Sequence, residues 1–125
     1  MKSGLILFGH GSREPRWAEP FERLAQRVRA RAPGVEVRLA FLETIAPDLP
    51  TASGELVAAG VTAIRVVPVF LGQGGHVRSD LPRLVEALRQ RHPTVVIRAA
   101  PAVGEDDAVI EALATYCLRE LGPDA

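Results

Sequence analysis

The stretch SGLILFGHGS, residues 3–12, decides the fold because it joins a wholly apolar run to a glycine-rich loop. Leu5 to Phe8 are continuously apolar, which is typical of a strand that is buried on both faces of a parallel sheet. Residues 15–32 follow with apolar side chains at helical spacing and charged side chains opposite, and Pro33-Gly34 ends that segment. The succession of strand, glycine loop and helix predicts the opening unit of an α/β fold.

The same alternation continues to the end of the chain. Residues 71–78 form a second glycine-rich loop, and Pro68 just before it is expected at a strand end or a bulge because proline cannot donate to a ladder. Further strands are predicted at 35–41, 63–70 and 94–99, and further helices from Pro47 to Gly60, from Asp80 to His92, and from Asp106 or Asp107 onward.

The order βαβαβαβα predicts one α/β domain over residues 1–125, with a single open, mostly parallel four-stranded sheet and helices on both faces. The length of 125 residues is enough for one domain. Lys+Arg and Asp+Glu both number 15, and this balance argues against a basic nucleic-acid binder. No apolar run approaches the roughly 18 residues that span a bilayer, so a cytoplasmic protein without membrane contact is expected.

Cys117 is the only cysteine, so one chain can form neither an internal disulfide nor a Cys-pair zinc site. It lies in the last predicted helix, where we expect it to pack as a small hydrophobic side chain. The apolar stripe of that helix consists of Ile110, Leu113, Ala114, Cys117 and Leu121.

Two of the three histidines lie in the loops that follow strands. His10 comes after the first strand, and His76 ends the loop after the third strand. If the strands lie in the order 2-1-3-4, the first and third are neighbours at the switch point where open parallel sheets bind ligands. The two histidines then lie at the same ligand-binding edge of the sheet, which we call the mouth. His92 is predicted at the opposite end of the sheet, so it serves as a control histidine with no expected role in catalysis.

The loops around these histidines are unusually rich in glycine, which lets a flat ligand approach the backbone closely. Tight turns and phosphate-binding nests are the alternative interpretation. The motifs match neither the dinucleotide fingerprint nor the P-loop. The glycines concerned are Gly9, Gly11, Gly72, Gly74 and Gly75.

Glu43 follows the second strand and can reach the same mouth. Two imidazoles and a carboxylate suit a borderline divalent metal such as Co²⁺, Ni²⁺ or Fe²⁺. The alternative is that Glu43 only caps or solvates a loop. Arg13, Arg16 and Arg78 could grip carboxylates, although exposed residues at a helix start would look the same. Ser12 does not fit a nucleophile elbow.

Three motifs together resemble the small class II chelatases, the short sirohydrochlorin chelatases of sirohaem and cobalamin synthesis. They are LFGHGSR at 7–13, FLE at 41–43 and VPVFLGQGGHVRSDLP at 67–82, and the resemblance spans essentially the whole chain. It implies a lyase-class enzyme that inserts Co²⁺, Fe²⁺ or Ni²⁺ into sirohydrochlorin. The divalent metal would be a substrate, with no tightly bound cofactor.

The resemblance also implies roles for individual residues. His10 and His76 would bind the incoming metal, one of them would also help to take up pyrrole protons, and Glu43 would assist as a base. The first motif lacks the asparagine that relatives often carry after the arginine, which weakens the implied substrate contacts there. Those implied contacts are Ser12, Arg13, Phe70, Leu71, Gly72, Gln73, Gly74 and Gly75.

Longer members of that family contain two such domains in one chain, so a chain of this length resembles their homodimeric form. Three alternatives stay open: a non-catalytic tetrapyrrole or metal carrier, a phosphate-recognising α/β domain, and a subunit that is active only beside another protein. The sequence selects neither the metal nor the pathway that receives the product.

Overall fold

A computed structural model describes residues 2–72 and 74–123, with the backbone alone for His76. In these ranges no helix is long and apolar enough to cross a bilayer. The elements are the strands β1 (Ser3–Gly9), β2 (Glu36–Phe41), β3 (Ala63–Pro68) and β4 (Val96–Ala99), the helices α1 (Glu19–Arg31), α2 (Leu49–Ala58), α3 (Gly75–Arg91) and α4 (Asp107–Leu121), and a 3₁₀ turn (Val103–Glu105).

The four strands form one sheet in the order β2-β1-β3-β4, and every pairing is parallel. The predicted strand order is therefore confirmed. Leu5 lies between Val37 of β2 and Arg65 of β3 in the ladder register. Because β1 and β3 are neighbours, their carboxyl ends flank the switch point of the sheet, where the chain departs for α1 and for α3.

The core lies on both faces of the sheet, as predicted. The larger cluster joins alternate residues of the strands, such as Ile6 and Val66, to α2 and α3. The smaller cluster lies on the opposite face under α1, where Leu7, Ala25 and Val37 are buried together. Since successive strand residues point to opposite faces, these clusters assign the odd-numbered residues of β1 to the α1 face.

The second helix begins and ends close to its predicted bounds. The Asp48 carboxylate caps it by accepting a hydrogen bond of 2.9 Å from the Thr51 amide. This hydrogen bond lowers the pKa of Asp48 below its ordinary value. Gly60 follows the helix with a φ of +89°, which suits the left-handed position after a helix end.

Two element bounds differ from the prediction near prolines. The first helix begins at Glu19 rather than Pro15, because Glu14 and Arg16 accept turn hydrogen bonds from Trp17 and Glu19. Pro20 then occupies the first turn, where proline loses no helical bond. The third strand ends at Pro68, so proline stands at a strand end as expected and Phe70 lies beyond the ladder.

The third helix begins five residues earlier than predicted. It starts at Gly75 rather than Asp80, with its first bond from the Arg78 amide to the Gly74 carbonyl. Placing Pro82 in a first turn led to the wrong bound, since the structure has that proline inside the helix. The glycine-rich loop therefore ends before residue 75, and His76 belongs to the first turn of α3.

The last helix has its predicted start but not its predicted packing. Asp106 caps α4 through the Val109 amide, yet no residue of α4 is buried. Cys117 is exposed, so the expectation that it packs as a small hydrophobic side chain is wrong. The main contact of α4 is with the preceding 3₁₀ turn.

Candidate functional site

The loops that follow β1 and β2 are joined by hydrogen bonds that extend the β1–β2 ladder. The Leu42 amide donates to the Gly9 carbonyl at 2.9 Å, and the Glu43 amide donates to the His10 carbonyl at 3.1 Å. This places the Glu43 carboxylate beside the imidazole, with Oε1 4.0 Å from His10 Nε2. The sequence-predicted approach of Glu43 to the mouth is thus a direct result of strand pairing.

Gly11 makes this approach possible. Its φ of +102° favours glycine, and a side-chain carbon added there would collide with the Glu43 carbonyl. Just before it, a carbon added at Gly9 would lie 2.7 Å from the ring of Phe21. The fold therefore requires glycine on both sides of His10.

The loop after β3 reaches the same place through Phe70. The Val69 amide donates to the Phe8 carbonyl at 2.8 Å, which continues the β1–β3 ladder past Pro68. The Phe70 ring then meets the His10 ring edge-on, with centroids 5.9 Å apart. The first and third loops therefore share one mouth, as the strand order predicts.

Beyond Phe70 the loop presents an exposed surface. Leu71 is 67% exposed, which is unusual for a large apolar side chain. Gly72 and Gly74 are also exposed, and Gln73 lies outside the described residues. This part of the mouth offers an apolar patch followed by accessible backbone.

Gly104 supports this surface, and sequence reasoning missed it. Its amide donates to the Phe70 carbonyl at 2.9 Å. A side-chain carbon at Gly104 would collide with the backbone of Leu71. The sequence shows an isolated glycine between the last strand and the last helix, but only the structure shows which loop this glycine contacts.

The first turn of α3 follows the glycine-rich loop after β3. Gly74 is the N-cap residue and provides no side-chain hydrogen bond. A helix start carries unsatisfied N–H groups and the positive end of the helix dipole, which favour an anionic group nearby. His76 belongs to this turn, at the same edge of the sheet as His10.

Ser12 and Arg13, the predicted substrate contacts of the first loop, lie next to His10. The Ser12 hydroxyl oxygen accepts a hydrogen bond of 3.1 Å from the Glu14 amide, so it stabilises the local turn. Arg13 is exposed. Arg78 lines a separate cavity of about 400 Å³ together with Arg89 and Glu105.

The His10–Glu43 pair is open to water, with side chains 49% and 64% exposed. Among the residues that the structure describes, no cluster of three or more His, Cys, Asp or Glu is arranged to hold a metal ion. The described side chains thus provide an imidazole and a carboxylate, and water could fill the remaining positions around a bound ion. Such an arrangement suits brief rather than permanent metal binding.

The family model described as CbiX matches residues 4–119, which include the four strands, except Ser3, and most of α4. This chain belongs to the CbiX family. The match covers both histidine motifs and the FLE segment. Family membership and the parallel sheet agree with the fold that the sequence predicted.

Two known proteins that are similar to this chain differ in their own length. A sirohydrochlorin cobaltochelatase of Methanocaldococcus jannaschii is 38% identical over 88 residues, which are 70% of this chain and 62% of the relative. A sirohydrochlorin ferrochelatase of Bacillus subtilis is 28% identical over 122 residues, or 98% of this chain and 46% of the relative. The chain thus spans less than two thirds of the first relative and about half of the second.

A solved structure matches the CbiX-family chain over nearly its whole length. It is the crystal structure of a CbiX protein from Marinobacter aquaeolei VT8, with a TM-score of 0.84 and 34% sequence identity. The match covers 95% of this chain and 97% of the other. The likeness extends over the sheet and the site-bearing loops together.

Proposed function

We propose that the CbiX-family chain is a sirohydrochlorin chelatase that inserts Co²⁺, Fe²⁺ or Ni²⁺ into the macrocycle. The names of the similar chelatases support this reaction and both cobalt and iron as metals. The observation that carries the proposal is the His10–Glu43 pair beside the Phe70 ring, at the mouth shared by the first and third loops. Metal and tetrapyrrole are both substrates here.

Metal insertion strips water from the ion and releases two protons from inner pyrrole nitrogens. A neutral imidazole is both a ligand for borderline metals and a base near neutral pH. We assign His10 to metal binding and proton uptake, with Glu43 as the assisting base that can receive a proton. His76, in the first turn of α3, is the proposed second metal ligand.

The glycines of the third loop support a flat ligand. Gly72, Gly74 and Gly75 have no positive φ, and a side-chain carbon at any of them would meet nothing within 4 Å. The fold itself therefore has no need of glycine there. A planar macrocycle that lies against the backbone does, and Phe70 and Leu71 would extend that contact with apolar surface.

The substrate is rich in carboxylates, and the mouth offers groups that bind them. The uncapped amides of α3 favour anions, and we assign carboxylate binding to Arg13, which is exposed beside Ser12. Ser12 and Gln73 complete the proposed substrate contacts. The proposed enzyme, of the lyase class, acts as a pair of identical chains, which would supply together the length that the Bacillus relative has in one.

The proposal is tested by anaerobic mixing of the protein with sirohydrochlorin and each metal in turn, followed by absorption spectroscopy. His10→Ala and His76→Ala should each lower the insertion rate roughly 10²-fold or more, because general-base and ligand roles contribute on that scale. His92→Ala is the matched control, since His92 ends α3 at the opposite end of the sheet. It should retain the normal rate.

The outcomes separate the alternatives. Multiple turnovers that are lost in both histidine variants support the chelatase, and the relative rates rank the metals. A spectral shift without turnover above the uncatalysed rate would instead identify a carrier. The uncapped helix start favours one other candidate, a domain that binds a phosphorylated ligand. No absorption change with sirohydrochlorin and any of the metals would point there.

A further inference from the structure

Asp80 lies on the side of α3 that is turned toward the loop after β2. Its side chain is 27% exposed and lines a cavity of about 260 Å³ together with Leu42 and two further residues of α3. Leu42 directly precedes Glu43, and its amide is bonded to the Gly9 carbonyl at 2.9 Å. This side of α3 therefore approaches the loop that carries the Glu43 carboxylate.

His76 belongs to the same side of the helix. It precedes Asp80 by four residues in α3, and residues at i and i+4 of an α-helix lie one above the other on one face. Arg78 lines a separate cavity on the opposite side of the helix. The position of Asp80 beside Leu42 thus assigns the face of α3 that carries residue 76 to the mouth.

We propose that Asp80 is the positioning residue for His76: its carboxylate accepts a hydrogen bond from one imidazole nitrogen, so that the other nitrogen is left to bind the incoming metal. The proposal rests on the proposed function, in which His76 is the second metal ligand, and adds the group that orients it. A histidine that binds a metal almost always donates its other N–H to a carboxylate, a carbonyl or water, which fixes the tautomer and the ring orientation.

Arg83 holds the Asp80 carboxylate in a defined orientation. Its Nη2 atom donates to Oδ1 of Asp80 at 3.0 Å, from about one turn further along α3. A carboxylate has two oxygens and several acceptor positions, so it can accept from a guanidinium and from an imidazole together. Because most of the Asp80 side chain is shielded from water, such a hydrogen bond meets less competition from solvent than one at the open surface.

The mouth would then contain two imidazole–carboxylate pairs of different construction. His10 and Glu43 come from different loops, and strand pairing brings them to 4.0 Å. His76 and Asp80 come from consecutive turns of one helix, so their pairing needs no contact between distant segments. Each of the two proposed metal ligands thereby has a carboxylate of its own, and Asp80 does for His76 what strand pairing does for His10.

Binding of Co²⁺ to the protein without tetrapyrrole tests this role. Asp80→Asn should weaken Co²⁺ binding, measured by isothermal titration calorimetry, about 10- to 100-fold, which is the usual effect of losing such a partner. Glu86→Gln is the matched control, because Glu86 forms the same kind of i,i+3 pair with Arg89 on α3, and it should bind Co²⁺ as tightly as the parent. Equal weakening in the two variants, or none in Asp80→Asn, overturns the proposal.

Double variants separate positioning from direct binding of the ion. In protein that already carries His76→Ala, Asp80→Asn should change the Co²⁺ affinity by less than about twofold, since the residue that it orients is absent. In protein that carries His10→Ala, the same substitution should still weaken binding about 10-fold or more. A further loss in the His76→Ala protein would mean that the carboxylate binds the ion itself, which would overturn the positioning role.

Nuclear magnetic resonance of the metal-free protein shows the tautomer directly. Long-range ¹⁵N–¹H spectra at about pH 8, where imidazole is neutral, should show one tautomer of His76 in the parent and a mixture of both in Asp80→Asn. His10 should give the same spectrum in the two proteins. An unchanged His76 tautomer in the variant contradicts the proposal. None of these measurements requires turnover, so a failed insertion assay and a failed Asp80 role are told apart.

Discussion

The two loops that carry the histidines differ in how far the fold determines them. Around His10 the backbone continues the ladder between strands, and Gly11 fits against Glu43 with no space for a side chain. Around His76 the glycines have open space, the helix start has no side-chain cap, and Pro82 inside α3 lacks a backbone amide to donate. The fold therefore fixes the backbone around His10 without any ligand.

The difference suggests a division of work. The rigid side fixes an imidazole and a carboxylate at 4.0 Å. The other side has glycines that the fold itself does not require, and the proposed function assigns them to contact with a large planar substrate. Four substitutions, ordered by the size of the expected effect, test this contrast.

Gly11→Ala should produce the largest change. The positive φ and the collision with the Glu43 carbonyl together should lower the free energy of unfolding by about 3 kcal/mol. Urea denaturation measures the loss. A variant as stable as the parent would show that the first loop is not held rigidly.

Pro82→Ala should stabilise the protein, because it restores an amide that can donate to the Arg78 carbonyl within α3. The expected gain in unfolding free energy is up to about 3 kcal/mol. Hydrogen exchange at the amides of the first α3 turns should slow as well. Unchanged exchange there would mean that the proline does not separate these turns from the rest of the helix.

Asp48→Ala tests the capped helix α2, for contrast with the uncapped start of α3. Loss of the bond to the Thr51 amide should lower the unfolding free energy by about 1 kcal/mol at neutral pH. The pKa of Asp48 is lowered in the folded state from its ordinary value of 3.8. The stabilisation by its carboxylate is therefore present above that pH and lost as the pH falls through the folded pKa. The unfolding free energies of parent and variant should become equal in acid. A difference between them that stays constant at all pH values would contradict the capping role.

Gly75→Ala should produce the smallest change in stability. Alanine is the better helix former and the site is open, so the unfolding free energy should rise by about 0.5 kcal/mol. The affinity for sirohydrochlorin, followed by its absorption spectrum, should fall nonetheless because the added methyl group faces the ligand. Tighter binding in this variant would show that the glycine does not serve the substrate.

The sequence predicted the sheet, its strand order and the meeting of the first and third loops. Buried strands can be recognised from local apolar runs, and the rules for crossover connections apply to parallel sheets in general. It placed the start of α3 wrongly, since Pro82 is a better first-turn residue than an interior one and the structure tolerates the less favourable position. The sequence also predicted an apolar face on α4, but periodicity shows only that a helix has such a face and not what covers it. Gly104 was missed because its role depends on a contact with a distant loop.

The openness of the His10–Glu43 pair has a consequence for metal choice. One imidazole and one carboxylate, both about half exposed to water, would impose little geometry on the ion that they are proposed to hold. Affinities of such donors rise along the first-row series toward copper, with zinc close behind. A protein of this design would pass on whichever ion its surroundings supply, so zinc and copper should act as competitors of cobalt and iron. Its fidelity then depends on how tightly the cell buffers those ions, outside the protein altogether.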